Sequence, residues 1–397
     1  MTDNRIQNTP SVTHLDGDSL TPLRPGVQEA ISNSLSSLAN PDARYASARY
    51  YAQCLESCRE EVAKMIGADT SEIFFTSNAS ESNTWAIMCA DLGTSLSFEG
   101  LVGGQTNHIS AINAMSSRAK RDHIPFQELR PKIYESITSL SLNKLERTLS
   151  SFVWADPEVG VITPVERIGK EVKAGGGVFH VDFVTAQRTQ RIKVKDFPID
   201  MMTISSNAMG GPPGISALYV RKGIRIKPLI FGGSQEGGRR GGMIPVFLAE
   251  GWKKAIQHWN EHVDQERRRI ETLTNDLLQW VKDTIPDVVI PASDEPRLPG
   301  ILNMLVPGID GQAAVSKLDL KGIQTGTGSS CSSQSLKVSH VLRALGVSSL
   351  LGQGSVVVSL SWNSTPSDMK LFQEAFPAVL EELVALSPKG LQHSRRA

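Results

Sequence analysis

Four short stretches of the chain carry side chains able to do chemistry. Cys331 lies in Thr325-Gly326-Thr327-Gly328-Ser329-Ser330-Cys331-Ser332-Ser333, a run too rich in glycine and serine to be a regular element. Structural cysteines prefer dry, packed positions, so a thiol on a polar loop points to a nucleophile or a metal ligand. Phe75-Thr76-Ser77-Asn78-Ala79-Ser80-Glu81-Ser82-Asn83 reads as a strand running into a helix. Small hydroxyl residues there leave backbone amides at the positive end of the helix dipole, which suits a phosphate and equally suits an ordinary cap. His180-Val181-Asp182 closes an apolar stretch, where a carboxylate could hold a ring nitrogen protonated or serve the fold alone. His108, in Gln105-Thr106-Asn107-His108, could lie against a flat cofactor or be a plain surface or core histidine.

The elements that must position these residues can be read from periodicity. Strands are expected at 73–76, 152–155, 178–181, 201–205 and 215–220. Helices lie between them, one over 164–174 with Pro164 suited to its first turn. Strand, helix and strand in succession imply parallel pairing, a layered α/β domain, and functional loops beyond the strands' carboxyl ends. The stretch GGSQEGGRRGG (232–242) must be a loop, and a long helical pattern over 246–284 is expected to bend or break. Its charged run at 264–269 reads as a solvated face. Beyond a domain boundary near 265, strands are expected at 301–306 and 356–360, then a helix from Pro366. Thr365 and Asp368 form a capping box for that helix. Met369, Phe372, Phe376, Val379, Leu380 and Leu383 make its apolar stripe, and Pro377 should kink it. Cys54 and Cys58, four apart on the helical pattern at 51–65, read as core packing and not as a metal site.

Composition narrows the class. The 397 residues hold 41 Lys+Arg against 41 Asp+Glu, which argues against nucleic-acid binding, since phosphate neutralisation needs a net basic face. No apolar run approaches the ~20 residues needed to span a bilayer. The first twenty residues carry no apolar signal-peptide core, and four cysteines cannot be a disulfide framework. A cytoplasmic, self-associating protein of two domains is the expectation.

Order, spacing and wording together resemble the cysteine desulfurases of the NifS/IscS type, class V aminotransferases of the pyridoxal phosphate (PLP) fold-type I group. The resemblance is carried by Leu15-Asp16 with Thr21-Pro22, Asn40-Pro41, the FTSNASESN loop and Thr106-Asn107-His108. It continues through Glu158-Val159-Gly160, His180-Val181-Asp182, Ser205-Ser206-Asn207, GGSQEGGRRGG, Cys331 and Ser339-His340-Val341-Leu342. It implies an α/β fold: a large domain (1–265) with a mostly parallel seven-stranded sheet between helices, and a smaller α+β C-terminal domain (266–397). An N-terminal arm (1–15) would pack on the small domain. It further implies a homodimer that binds PLP through Ala79, Ser80, His108, Asp182, Ser205 and Asn207. Cys331 would then carry sulfur as a persulfide to an iron–sulfur scaffold or other sulfur acceptor, or lend its thiolate to a cluster shared with that partner.

The departures from the family pattern are as specific as the matches. The lysine that forms the Schiff base with PLP is matched by Ala208, and the carboxylate-clamping arginine by Val357. Pro157, Thr185 and Met243 match an asparagine, a glutamine and a threonine that contact the cofactor in the family. Lys222 and Lys227 should lie on the far side of the following strand. These changes imply impaired Schiff-base desulfuration, with Cys331 thiol chemistry retained; some archaeal family members are similar in the same departures. The alternative is an active PLP enzyme, a desulfurase or another class V lyase or aminotransferase, that binds its cofactor without a covalent bond.

Overall fold

The structure, a computed structural model, describes residues 12–19, 21–36, 39–93, 96–130, 146–328 and 338–386. They fall into two compact units. The larger comprises the described residues of Thr21–Asp156 and Ile162–Asp264, the smaller those of Met1–Leu20, Pro157–Val161 and Gln265–Ala397.

In the larger unit, α1 (Ala46–Ile66), β1 (Ile73–Thr76), α2 (Ala79–Cys89), β2 (Gly100–Gly104), α3 (Ile109–Asp122) and β3 (Phe126–Leu129) come first. Then follow β4 (Thr148–Val153), α4 (Val165–Ala174), β5 (Val178–Asp182), β6 (Met201–Ser205) and β7 (Ser216–Val220). The strands form one seven-stranded sheet in the order β1-β7-β6-β5-β4-β2-β3. From β6 to β3 every pairing is parallel. β7 runs antiparallel to both β6 and β1. The sheet is mostly parallel, as expected; the reversal falls at β7 because only residues 206–215 join it to β6, too few for a crossover helix. β4 starts at Thr148, four residues before the strand expected from sequence, because its first half carries hydroxyl residues that are nonetheless buried. Leu101, Leu149, Val178, Met201 and Leu218 from the sheet pack with Trp85 and Ala86 of α2 and Ala111 and Met115 of α3.

Of the expected bend or break, no break occurs: helix α5 (Val246–Thr284) is one continuous element, and the division between units falls inside it. It lacks an interior proline, and its Gly251 closely approaches Ile31. Within the run 264–269, Glu266 is buried, so the solvated-face reading holds only for its neighbours. In the smaller unit β8 (Ile301–Leu305) pairs antiparallel with β9 (Ser355–Ser359), and Asn303 stands opposite Val357. One face of this ribbon, Leu302, Met304, Val356 and Val358, packs against Ile270, Leu273 and Leu277 of α5. The expected stripe of Met369, Phe372, Phe376, Val379, Leu380 and Leu383 on α6 (Pro366–Leu386) completes that core. The capping box forms as expected, with the Thr365 amide and hydroxyl both donating to Asp368 at 2.8 Å. No helix among the described residues is long and apolar enough to cross a membrane.

Candidate functional site

Strands β1, β2, β4, β5 and β6 share one direction, so the segments that follow them emerge at a single edge of the sheet. Asp182 ends β5 and Ser205 ends β6; Ser77 to Ser80 follow β1, Asn107 and His108 follow β2, and Asn207 and Ala208 follow β6. One edge thus gathers every site residue expected in this unit from sequence.

At the start of α2 the Asn78 side chain accepts from the Glu81 amide at 2.9 Å, so an ordinary cap is present. The amides of Ala79 and Ser80 belong to the first turn, where no intrahelical acceptor exists, and the Ser80 side chain lies on an exposed residue. Glu81 is held inward: the Ser77 amide and hydroxyl donate to it at 2.8 and 2.5 Å, and Arg240 of the glycine-rich loop donates at 2.9 and 3.2 Å. Burial alone would raise the Glu81 carboxyl, but the Arg240 and Ser77 hydrogen bonds outweigh it and keep it below the usual carboxylate range. The same loop is fixed a second time through Glu236, which accepts from Arg59 at 2.7 and 2.8 Å and from the Phe75 amide at 2.8 Å.

Asp182 is buried and accepts from the Asn83 amide group at 2.7 Å and from the Val184 backbone at 3.1 Å. Asn83 also donates to Ser110 at 3.1 Å, and Ser110 Oγ lies 2.7 Å from His108 Nδ1. His108 caps α3 with its ring, which accepts from the Ser110 amide at 3.2 Å. Beneath Asp182, His180 is fully buried between the hydroxyls of Ser151 at 2.9 Å and Thr203 at 3.0 Å. Burial lowers its pKa to about 3, so it is a neutral prop of the sheet.

The turn carrying Ala208 is pinned on all sides. Ser205 donates to Asn207 at 2.5 Å and bonds Ser216 at 2.7 Å, while Gln187 pairs with both the amide and the carbonyl of Ser205. Thr21 donates to the Ala208 carbonyl at 3.3 Å, and Arg24 donates to the carbonyls of Met209 at 2.6 Å and Gly210 at 2.8 Å. Gly210 takes a left-handed conformation (φ 82°), and a Cβ on Gly211 would sit 2.2 Å from Ser206 Oγ, so both positions require glycine. Because β7 is antiparallel, it carries the chain to the opposite edge of the sheet, roughly 16 Å away at ~3.3 Å per residue, before Lys222 and Lys227. There Lys227 faces Asp91 at 3.4 Å.

Cys331 and residues 329–337 lie outside the described residues. Within the smaller unit, Gly326 exchanges two backbone hydrogen bonds with Val357, at 2.9 and 2.8 Å. A Cβ on Gly328 would meet the Glu158 carboxylate, which also accepts from Ser339. Val357 itself lies on the ribbon face with Asn303, 5% exposed. Pro157 falls in the smaller unit, Thr185 is buried and Met243 is exposed. Among the described residues no group of three or more His, Cys, Asp or Glu could hold a metal ion. Cys58 is buried, its thiol pushed up by desolvation, in keeping with core packing; Cys54 is half-buried.

The description Aminotransferase class-V fits residues 13–372, and the chain belongs to that family. Within it the chain is of the NifS/IscS type. It is 34% identical over 388 residues to a cysteine desulfurase of Nostoc sp., covering 95% of both chains. It is 31% identical over 380 residues to the cysteine desulfurase IscS of Dictyoglomus turgidum, covering 94% of this chain and 96% of that one. The solved NifS-like protein of Rickettsia africae superposes with a TM-score of 0.81 at 25% identity, over 93% of this chain and 99% of the other. The mixed α/β fold with its large, mostly parallel sheet matches that structure.

The family implies PLP. The buried Asp182 carboxylate suits a protonated ring nitrogen, and Asn83 Oδ1 beside it is buried with no hydrogen-bond donor among the described residues. The first-turn amides of α2, with Glu81 neutralised by Arg240, suit a phosphate. The residues present fit the ring and the phosphate; Ala208 offers no amine to the aldehyde. Asp182, His108 and the 77–80 loop, expected from sequence, stand at this edge together; the bonds of Asn83 with Ser110, Arg240 with Glu81 and Gln187 with Ser205 were not legible there, because each joins separate elements.

Proposed function

We propose that the chain is a sulfur-handling protein of the cysteine desulfurase family whose work rests on the Cys331 thiol and not on a lysine-bound cofactor. The observation that carries this reading is the methyl side chain of Ala208 in a turn tied down by Thr21, Arg24 and Gln187, with Lys222 and Lys227 beyond the opposite sheet edge. A primary amine is needed for covalent capture of PLP, and Ala208 has none.

In the sulfur step, a Cys331 persulfide meets an acceptor thiolate. The acceptor attacks the terminal sulfur, the S–S bond to Cys331 breaks and a new S–S bond forms. Cys331 leaves as thiolate, so the exchange needs no outside oxidant or reductant. In the second use of the same thiol, Cys331 supplies one ligand to an iron–sulfur cluster carried by a scaffold partner. A homodimer is part of the reading, supported by Phe231 (85% exposed) and Met243 (58% exposed), apolar side chains flanking the glycine-rich loop. A cytoplasmic setting follows from the same family role.

PLP, when bound, supplies an electron sink for bond cleavage at the α-carbon of an amino acid. Asp182 would hold its ring nitrogen, His108 would lie against the ring, and Ala79, Ser80, Ser205 and Asn207 would line the phosphate side. The polar chain from Asp182 through Asn83 to His108 favours a second reading, in which the cofactor is held without a covalent bond and the protein remains catalytic.

One assay separates the two. Purified protein is given cysteine with excess PLP, and alanine and sulfide are measured alongside persulfide on Cys331 after exposure to a low-molecular-weight persulfide. The first reading expects no alanine, and a persulfide that Cys331→Ser abolishes. Catalytic release of alanine and sulfide would overturn it in favour of the second.

A further inference from the structure

The bonds between His108 and Asp182 have a fixed direction. A backbone N–H can only donate, so the 3.2 Å contact from the Ser110 amide makes His108 Nδ1 an acceptor. The Ser110 hydroxyl, 2.7 Å from the same nitrogen, must then donate to it. That hydroxyl in turn accepts from Asn83 at 3.1 Å, and the second proton of the Asn83 amide goes to Asp182 at 2.7 Å. Asn83 is fully buried, so its amide cannot exchange these partners for water.

We infer that Ser110 and Asn83 are positioning residues that hold His108 as a neutral ring with its single proton on Nε2. Asn83 spends both its protons and Ser110 its only one, leaving one polarity for the whole chain. A proton on Nδ1 would face two donors at once and break both contacts. The consequence concerns a flat cationic ring, the form an aromatic nitrogen takes when a buried carboxylate keeps it protonated. Such a ring, held at Asp182, meets a neutral histidine rather than a second positive charge. The carboxylate that favours the cation is thus wired to the group that must not become one. Asn83 joins α2 to the end of β5, and Ser110 joins α2 to the N-terminus of α3, so three elements set the state of one imidazole. This deepens the reading of the site as a PLP pocket and rests on it for the identity of the ring.

The test uses the full-length protein labelled with 15N-histidine and free of added PLP, with the His108 signals assigned by their loss in His108→Asn. Wild type is expected to show one tautomer, unprotonated at Nδ1 and protonated at Nε2. Ser110→Ala leaves Nδ1 only the longer 3.2 Å amide contact and should give a mixture of tautomers, Asn83→Leu should do the same by freeing the Ser110 hydroxyl to turn, and Ser110→Thr should keep the wild-type pattern. A merely structural serine would not move this signature. PLP titrated into the same samples should bind about tenfold more weakly to Ser110→Ala, the factor one hydrogen bond commands. An unchanged single Nε2–H tautomer in folded Ser110→Ala would overturn the inference. If wild type binds no PLP, the pocket reading fails, while the tautomer signals still decide the positioning role.

Discussion

Arg240 reaches from the glycine-rich loop to Glu81 in the first turn of α2, and the side chains of both are about nine-tenths buried, at 12% and 10% exposure. A carboxylate at a helix N-terminus is favourable by itself, but here it would also repel any phosphate bound to the neighbouring amides. The guanidinium removes that conflict and ties the loop to the strand-to-helix junction. Glu81→Gln should therefore lower stability by about 2 kcal/mol, since a desolvated guanidinium would lose its carboxylate partner. Arg240→Ala should cost a similar amount, and the double variant much less than the sum. Urea unfolding of the three proteins measures this, and full additivity would mean that the pair is uncoupled. At this scale the sequence was informative about residue types and silent about partners. Asp182, His108 and the small hydroxyl residues announced themselves because they sit at the ends of apolar strands. Asn83 did not, since its amide meets Asp182 across 99 positions of chain.

Elements were more legible than the contacts between them. Periodicity located β1 and β6 to the residue, and with the Thr365 cap the start of α6, because alternating or helical apolar patterns record burial directly. It shortened β4, where Ser150 and Ser151 are buried against the apolar rule, and it did not say which strand of the mostly parallel sheet reverses, which depends on connection length. The buried polar seam of Ser151, His180 and Thr203 across β4, β5 and β6 has its own signature in solution. In the unfolded chain His180 takes up a proton near its ordinary pKa of 6.5, whereas in the folded chain burial refuses it until about pH 3. The unfolded state therefore binds more protons between these values, and stability falls as pH drops through the window, by up to about 1.4 kcal/mol per pH unit. His180→Gln should flatten that acid limb while lowering stability at neutral pH. Urea midpoints measured from pH 7 to pH 4 report both effects, and an unchanged slope in the variant would show that other groups govern the acid limb.

At the scale of the whole molecule, a chain that holds its cofactor only by non-covalent contacts gives it up more readily than one that adds a lysine imine, and only the imine can be fixed by reduction. Ala208 puts this protein in the first class on the proposed reading, while Asp182, His108 and the α2 amides still offer a place to bind. Added PLP should then raise the thermal midpoint in a concentration-dependent way. The gain is about 2.7 kcal/mol when free PLP reaches a hundred times its dissociation constant, enough for a rise of several degrees in a unit of this size. Desalting should return the midpoint to its starting value, because nothing but the equilibrium retains the ligand. Ala208→Lys places an amine at the same turn and should convert part of that reversible gain into one that survives desalting and is fixed by borohydride. The measurement is a thermal scan before PLP, with PLP and after desalting, on both proteins. A wild-type protein on which borohydride fixes PLP would place another amine at the aldehyde, and the thiol-centred account of the molecule would fall with it.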